Sequence, residues 1–168
     1  SKSCGLLMNT GNQAALRLFL VAGEHSGDAL GSKLMAALKA ARGADEIVFA
    51  GVGGEEMAHE GLKSLFALED VAVMGPTHII PALPRIVRRV YQTVAAARAF
   101  NPDAVVIIDS PEFTHPIAKR IRWRMPQVPI IDYVSPSVWA WRSGRAKKMR
   151  GYVDEILGLL PFEPEAHK

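Results

Sequence analysis

Three segments carry residue types suited to chemistry. The first is Gly23-Glu24-His25-Ser26-Gly27-Asp28. Two glycines between a strand and a helix let the backbone approach a ligand, and a helix start presents free N–H groups to a polar or anionic group. A plain tight turn capped by Ser26 or Asp28 is an equally good reading of the same six residues. The second is Asp109-Ser110-Pro111, a carboxylate placed directly after an apolar run. Apolar walls raise a carboxylate's pKa, which suits a general base. An Asp that caps the following helix or bonds its own loop has the same position, and Glu112 reads as part of that turn. The third is Ser135-Pro136-Ser137-Val138-Trp139-Ala140-Trp141-Arg142. Two indoles two residues apart point the same way on an extended chain and make a platform for a sugar ring or an acyl chain, with core packing as the alternative.

Two basic stretches add to these. Arg142, Arg145 and Lys148 are three apart and would share a helical face toward a phosphate, although a solvated surface explains most such residues. Residues 71–90 mix apolar side chains with Arg85, Arg88 and Arg89, which suits a membrane interface or a lipid substrate as well as it suits a core-packed helix.

Other chemistries are poorly supported. His25, His59, His78, His115 and His167 are scattered and Cys4 is the single cysteine, so no metal-ligand spacing exists and no metal is expected. Ser26 lies in His-Ser-Gly-Asp and not in a G-x-S-x-G elbow. Gly51-Val52-Gly53-Gly54 lacks the third glycine of a dinucleotide fingerprint, so no cofactor is expected. The net charge of +3 is too mild for a nucleic-acid binder; its clustering at 85–89, 119–124 and 142–150 favours a local anion or an anionic membrane surface.

The elements that must position these segments alternate. Strands are expected at residues 16–22, 47–50, 104–108, 129–134 and 155–160. Helices are expected at 29–42, 55–60, 85–100, 114–125 and 142–153. Ile86, Val90, Val94 and Ala97 fall on one face of the third helix. Pro81 and Pro84 are expected to forbid a regular helix before them, with Pro84 in the first turn of the next one. Such alternation predicts an α/β fold, a Rossmann-like parallel sheet with helices on both faces. Ligands bind such sheets at the carboxyl ends of the strands, which selects the loops at 23–28, 51–54, 109–113 and 135–142. Residues 1–13 read as a flexible leader and 14–168 as one domain, since 168 residues suit a single core.

From residue 16 to 162 the chain resembles the lipid-A-disaccharide synthase family. The resemblance rests on Val21-Ala22-Gly23-Glu24-His25-Ser26-Gly27-Asp28, Val73-Met74-Gly75, Ile108-Asp109-Ser110-Pro111-Glu112-Phe113, the run Tyr133 to Arg142 that includes Ser-Pro-Ser-Val-Trp-Ala-Trp-Arg, and Leu160-Pro161-Phe162-Glu163. It implies an inverting glycosyltransferase of two Rossmann-like domains in the B-type arrangement. Such an enzyme condenses UDP-2,3-diacylglucosamine with 2,3-diacylglucosamine 1-phosphate into lipid A disaccharide 1-phosphate and UDP. It also implies peripheral attachment at the cytoplasmic face of the inner membrane, with no metal or cofactor. On this resemblance the chain corresponds to the acceptor-side N-terminal domain. The UDP-binding domain is absent, and the piece alone is expected to be inactive and prone to self-association.

Asp109 takes the position of the family's proposed base. Gly23, Glu24, Ser26, Gly27, Asp28, Ser135, Pro136, Ser137, Trp139, Trp141 and Arg142 are expected to line the substrate crevice, with Met74 near the acyl chains. Glu112-Phe113-Thr114 replaces the frequent Asp-Phe-Asn, and His25 a frequent Thr, so the roles of Glu112 and His25 stay open. A UDP-sugar epimerase domain and a non-catalytic lipid- or membrane-binding domain are the competing readings. The Trp139–Trp141 run argues against the first and the retained Asp109 against the second.

Overall fold

A computed structural model describes residues 15–72, 76–108, 110–135 and 138–141, of which 76–80, 111–112, 134–135 and 138–141 are described through their backbone. The expected leader at 1–13, helix at 142–153 and strand at 155–160 lie outside the described residues.

Five strands form one sheet. They are β1 (Leu16–Ala22), β2 (Ile47–Val52), β3 (Ala104–Ile108), β4 (Ile130–Ser135) and β5 (Val138–Trp141), in the order β2-β1-β3-β4-β5. The first four are parallel, with Leu20 beside both Gly51 and Val106, and Ile107 beside Asp132. Every residue of β3 is buried, and in β1 only Arg17 is not. A parallel strand covered on both faces must be apolar throughout, which is why these two runs are so uniform.

The pleat sends alternate residues to opposite cores. Leu18 and Leu20 join Met35 and Leu38 of helix α1 (His25–Arg42) and Met57 of α2 (Glu55–His59). Phe19 and Val21 join Ile86, Val90, Val94 and Ala97 of α3 (Pro76–Phe100) and Ile117 and Ile121 of α4 (Pro111–Arg124). The expected parallel sheet with helices on both faces is therefore observed, as is the buried face of α3.

Four expectations need correction. Helix α1 starts at His25 and not at residue 29, so His-Ser-Gly-Asp is its first turn. Helix α4 starts at Pro111 and not at 114, because proline tolerates the first helical position. Residues 138–141, expected within a loop, form strand β5 antiparallel to β4, with Trp139 opposite Tyr133 and Trp141 opposite Ile131.

The fourth correction concerns α3, which begins at Pro76 and runs through Pro81 and Pro84. Each proline removes one helical N–H, a heavy cost in a buried helix interior. Both prolines are exposed here while Ala82 and Ile86 are buried. The freed carbonyls thus lie on the side open to water, and burial of the opposite face holds the turn.

The amino ends of the central strands are tied by charge. Arg17 N–H donates to the Asp103 carboxylate at 2.8 Å, and Asp103 N–H returns a bond of 2.8 Å to the Arg17 carbonyl. The Arg17 guanidinium donates to the Phe100 carbonyl at 3.0 and 2.7 Å and stacks 4.2 Å above the Phe100 ring. The last turn of α3 is thereby anchored to the end of the sheet that faces away from the candidate site.

Gly51, at φ +136°, lies so close to strand β1 that a Cβ there would collide with the Leu20 carbonyl. Gly51→Ala is expected to destabilise the fold by about 2–5 kcal/mol, because it adds left-handed strain to a clash with backbone. Chemical denaturation of the two proteins would measure it.

Candidate functional site at the carboxyl ends of the strands

The chain leaves β1 toward β2 on one side, while β3 and β4 lie on the other. Loops on either side of such a reversal diverge and leave a crevice. The β1–α1 loop and the start of α4 meet there. A Cβ built on Gly23 would stand 2.7 Å from Ser110 Cβ, 3.0 Å from Ser110 Oγ and 3.2 Å from Phe113 Cδ1. Only a residue with no side chain allows this approach. One on Gly27 would lie 3.1 Å from the Ile108 carbonyl oxygen, so the first turn of α1 presses on the end of β3.

The six residues of the first loop divide into two groups. Glu24, His25 and Ser26 are exposed, and Gly27 and Asp28 are buried. Glu24 is the N-cap of α1, and no side chain caps that helix, contrary to the expectation for Ser26 or Asp28. Asp28 serves a different helix. Its Oδ1 accepts from the N–H groups of Gly54 at 2.8 Å and Met57 at 3.0 Å, and its Oδ2 from Glu56 at 3.1 Å. A buried carboxylate keeps its charge only when so satisfied, and the free N–H groups of a helix start are its natural partners. Gly54 is again a matter of room, since a Cβ there would lie 2.6 Å from Asp28 Oδ2.

Ser110 is the other unusual residue. It is the N-cap of α4 yet adopts left-handed backbone at φ 52°, ψ 63°, a strained conformation for any side chain but glycine. Its carbonyl accepts from Phe113 N–H at 3.0 Å, Thr114 N–H at 2.9 Å and Thr114 Oγ1–H at 3.0 Å. Its own Oγ is buried with no hydrogen-bond partner among the described residues.

Phe113 meets the Phe66 ring edge-on at 6.1 Å, and the Arg89 guanidinium, paired with Asp70 at 2.5 Å, covers the other side of Phe66 at 4.7 Å. The start of α4 is thus braced through Phe66 to α3.

Among the expected site residues, the structure brings Gly23, Glu24, Ser26, Gly27 and Asp28 to the crevice mouth or just beneath it. Ser135 ends β4, and Trp139 and Trp141 occupy alternate positions of β5. Asp109, Met74, Pro136, Ser137 and Arg142 lie outside the described residues, as do Arg145 and Lys148. Sequence reasoning passed over Ser110, Tyr133 and the pair Asp132–His115. Asp132 is buried, with its carboxylate 3.9 Å from His115 Nε2. Burial pushes the Tyr133 phenol above its usual pKa, which keeps the ring neutral. A lone Asp within the apolar Ile130-Ile131-Asp132-Tyr133 was the available signal for the pair.

The helix layer of α3 and α4 has a different character. Leu83, Val87 and Tyr91, four residues apart on α3, are 50%, 44% and 52% exposed, and Trp123 on α4 is 79% exposed. Arg120 stacks 4.4 Å over Tyr91 and Arg124 5.4 Å over Trp123. In the 71–90 segment Ala82, Ile86 and Val90 lie in the core, as the core-packing reading expects, and Leu83 and Val87 are exposed.

Residues 18–168 match the model of the family described as Lipid-A-disaccharide synthetase. The chain is 55% identical over 159 residues to the Lipid-A-disaccharide synthase of Nitrobacter hamburgensis, covering 95% of this chain and 40% of that protein. It is 57% identical over 152 residues to the protein of that name from Nitrobacter winogradskyi, covering 90% and 38%. For Bradyrhizobium diazoefficiens the identity is 51% over 161 residues, covering 96% and 41%. The chain spans about two-fifths of the length of these curated relatives.

Asp28→Ala strips three N–H groups, that of Met57 buried and those of Gly54 and Glu56 partly so, of their acceptor and is expected to cost about 2–4 kcal/mol of stability. Asp28→Asn keeps one carbonyl oxygen and is expected to lose less. Paired urea titrations would check both the size and the order.

Proposed function

The chain belongs to the lipid-A-disaccharide synthetase family, and from that premise we propose that it is the acceptor-side N-terminal domain, residues 14–168, of an inverting glycosyltransferase. The whole protein joins UDP-2,3-diacylglucosamine to 2,3-diacylglucosamine 1-phosphate, forming lipid A disaccharide 1-phosphate and UDP. The observation that carries this reading is the 55% identity over 159 residues to a relative named for that synthesis. It is supported by the packing of Gly23 against Ser110, which joins the β1–α1 loop to the start of α4 at the carboxyl ends of the strands, where an open α/β sheet holds its ligand.

The chemistry is one in-line displacement. The acceptor's 6-hydroxyl oxygen attacks the donor's anomeric carbon as the bond from that carbon to UDP breaks, and the configuration inverts. The hydroxyl proton passes to a carboxylate, the role assigned to Asp109. Glu24 and Ser26, exposed beside the crevice, supply hydrogen bonds to sugar hydroxyls. Ser135, Ser137, Trp139, Trp141 and Arg142 are assigned to substrate contact, with Gly23 and Gly27 allowing the close backbone packing beneath the site and Met74 and Pro136 bordering the acyl chains. Neither a metal nor a cofactor has a part in this scheme.

The acylated substrates reside in a membrane, and the exposed stripe Leu83, Val87 and Tyr91 with its flanking Arg85, Arg88 and Arg120 suits an anionic bilayer surface, here the inner face of the inner membrane.

Two outcomes follow. In the full-length protein that contains this chain, Asp109→Asn is expected to lower kcat by roughly 10²–10⁴-fold with an unchanged melting temperature; labelled acceptor converted to disaccharide is the readout. A variant as active as the parent would remove Asp109 from the mechanism. Replacing Leu83 and Val87 by Glu is expected to weaken co-sedimentation with vesicles containing phosphatidylglycerol and to leave turnover of detergent-dispersed substrate intact.

A further inference from the structure

Ser110 combines three features that structural convenience does not explain. It holds a left-handed backbone that glycine would adopt without strain. It buries a hydroxyl that finds no partner among the described residues. It stands where the β1–α1 loop meets the start of α4, so close to Gly23 that a Cβ on that glycine would lie 3.0 Å from Ser110 Oγ. A buried hydroxyl without a partner is destabilising, and in native proteins such groups are few and call for a cause. Alanine would fit the same space and glycine the same backbone, so neither packing nor turn geometry needs the oxygen.

The surroundings indicate what the oxygen is for. Glu24, His25 and Ser26 are exposed a few residues along the adjoining loop, and neither α1 nor α4 has a side chain capping its N-terminus. Acceptors, donors and a neutral hydroxyl in one crevice match a polyhydroxylated ring better than an anion, which Glu24 would repel. A serine has one side-chain torsion of three staggered states. With no bond holding Oγ, re-aiming it sacrifices no interaction.

We propose that Ser110 Oγ is a substrate-binding hydrogen-bond donor, held in reserve in the unliganded chain and used to engage a sugar oxygen in the crevice. The inference rests on the sugar-transfer reading above and extends it to a residue that reading does not use. Both substrates are glucosamine derivatives, so either sugar could supply the oxygen.

The test compares the full-length protein with its Ser110→Ala and Ser110→Gly variants. Both variants lose the hydroxyl, and Ser110→Gly also relieves the left-handed backbone. Expected are melting temperatures equal to or above the parent's in both, together with a fall in kcat/KM of about tenfold, the worth of one buried hydrogen bond. Titrating each substrate at saturating levels of the other identifies the sugar: the KM that rises belongs to the ring that Ser110 contacts. Full activity in both variants, or losses that merely track a lowered melting temperature, would overturn the role of Ser110 and leave the family reading standing. A parent protein that forms no disaccharide would instead overturn the sugar-transfer reading, and this inference with it.

Discussion

A single buried carboxylate organises the end of the sheet where the crevice opens. Asp28 sits 4% exposed within the first turns of α1, and its two oxygens take three N–H groups from the start of α2. An isolated charge at that depth would cost several kcal/mol, so the arrangement is all or nothing. With the three donors in place the charge is tolerable, and α2, only five residues long, gains a start it lacks the length to stabilise alone. The bond set therefore fixes the angle at which α1 leaves β1. That angle decides where Gly23, Glu24 and Ser26 stand relative to α4.

The opposite wall is held by different physics. Ser110 is placed by contact and not by charge: Ser110 and Phe113 both pack on Gly23, and Phe113 meets Phe66, over which Arg89 stacks. Arg89 is itself held by Asp70, so the start of α4 is linked to α3 through rings and one ion pair. The two walls are independently braced, one by hydrogen bonds to α2 and one by aromatic packing to α3. Each can therefore be altered without loosening the other.

Much of the scaffold was legible because its cause is local. The apolar runs of β1 and β3 and the four-residue recurrence in α3 are burial patterns that a chain cannot disguise. What escaped was set by tertiary context. Nothing within Pro76–Phe100 announces that Pro81 and Pro84 would both fall on the wet side of one helix; only the sheet beneath decides that. Asp28 carried the signature of a cap, and it is one, but for a helix that begins 27 residues later. The Trp139–Trp141 stretch read as a loop because a proline between two serines, Ser135-Pro136-Ser137, stands before it, yet an unpaired edge at β4 was available to pair with it. In the candidate site, the glycines and exposed polar residues of the β1–α1 loop were legible from composition. Ser110 was not, since a serine before a proline is ordinary until its torsion and its empty hydroxyl are seen.

The two faces of the sheet also divide the labour by charge. Helix α3 carries Arg85, Arg88, Arg89 and Arg98 and no acid, whereas the opposite side presents Glu55, Glu56 and Glu60 around α2. Of the four arginines on α3, Arg89 is committed to Asp70, so the outward charge comes from the others. The exposed stripe of Leu83, Val87 and Tyr91 is bordered by Arg85, Arg88 and Arg120, whereas around α2 Glu60 is paired with Lys39 and Glu55 and Glu56 are exposed. The sheet between them is rigid and buried, so orienting α3 orients the crevice as well. The same asymmetry that reads as a modest net charge in the composition thus becomes, once folded, a difference between two faces of one sheet.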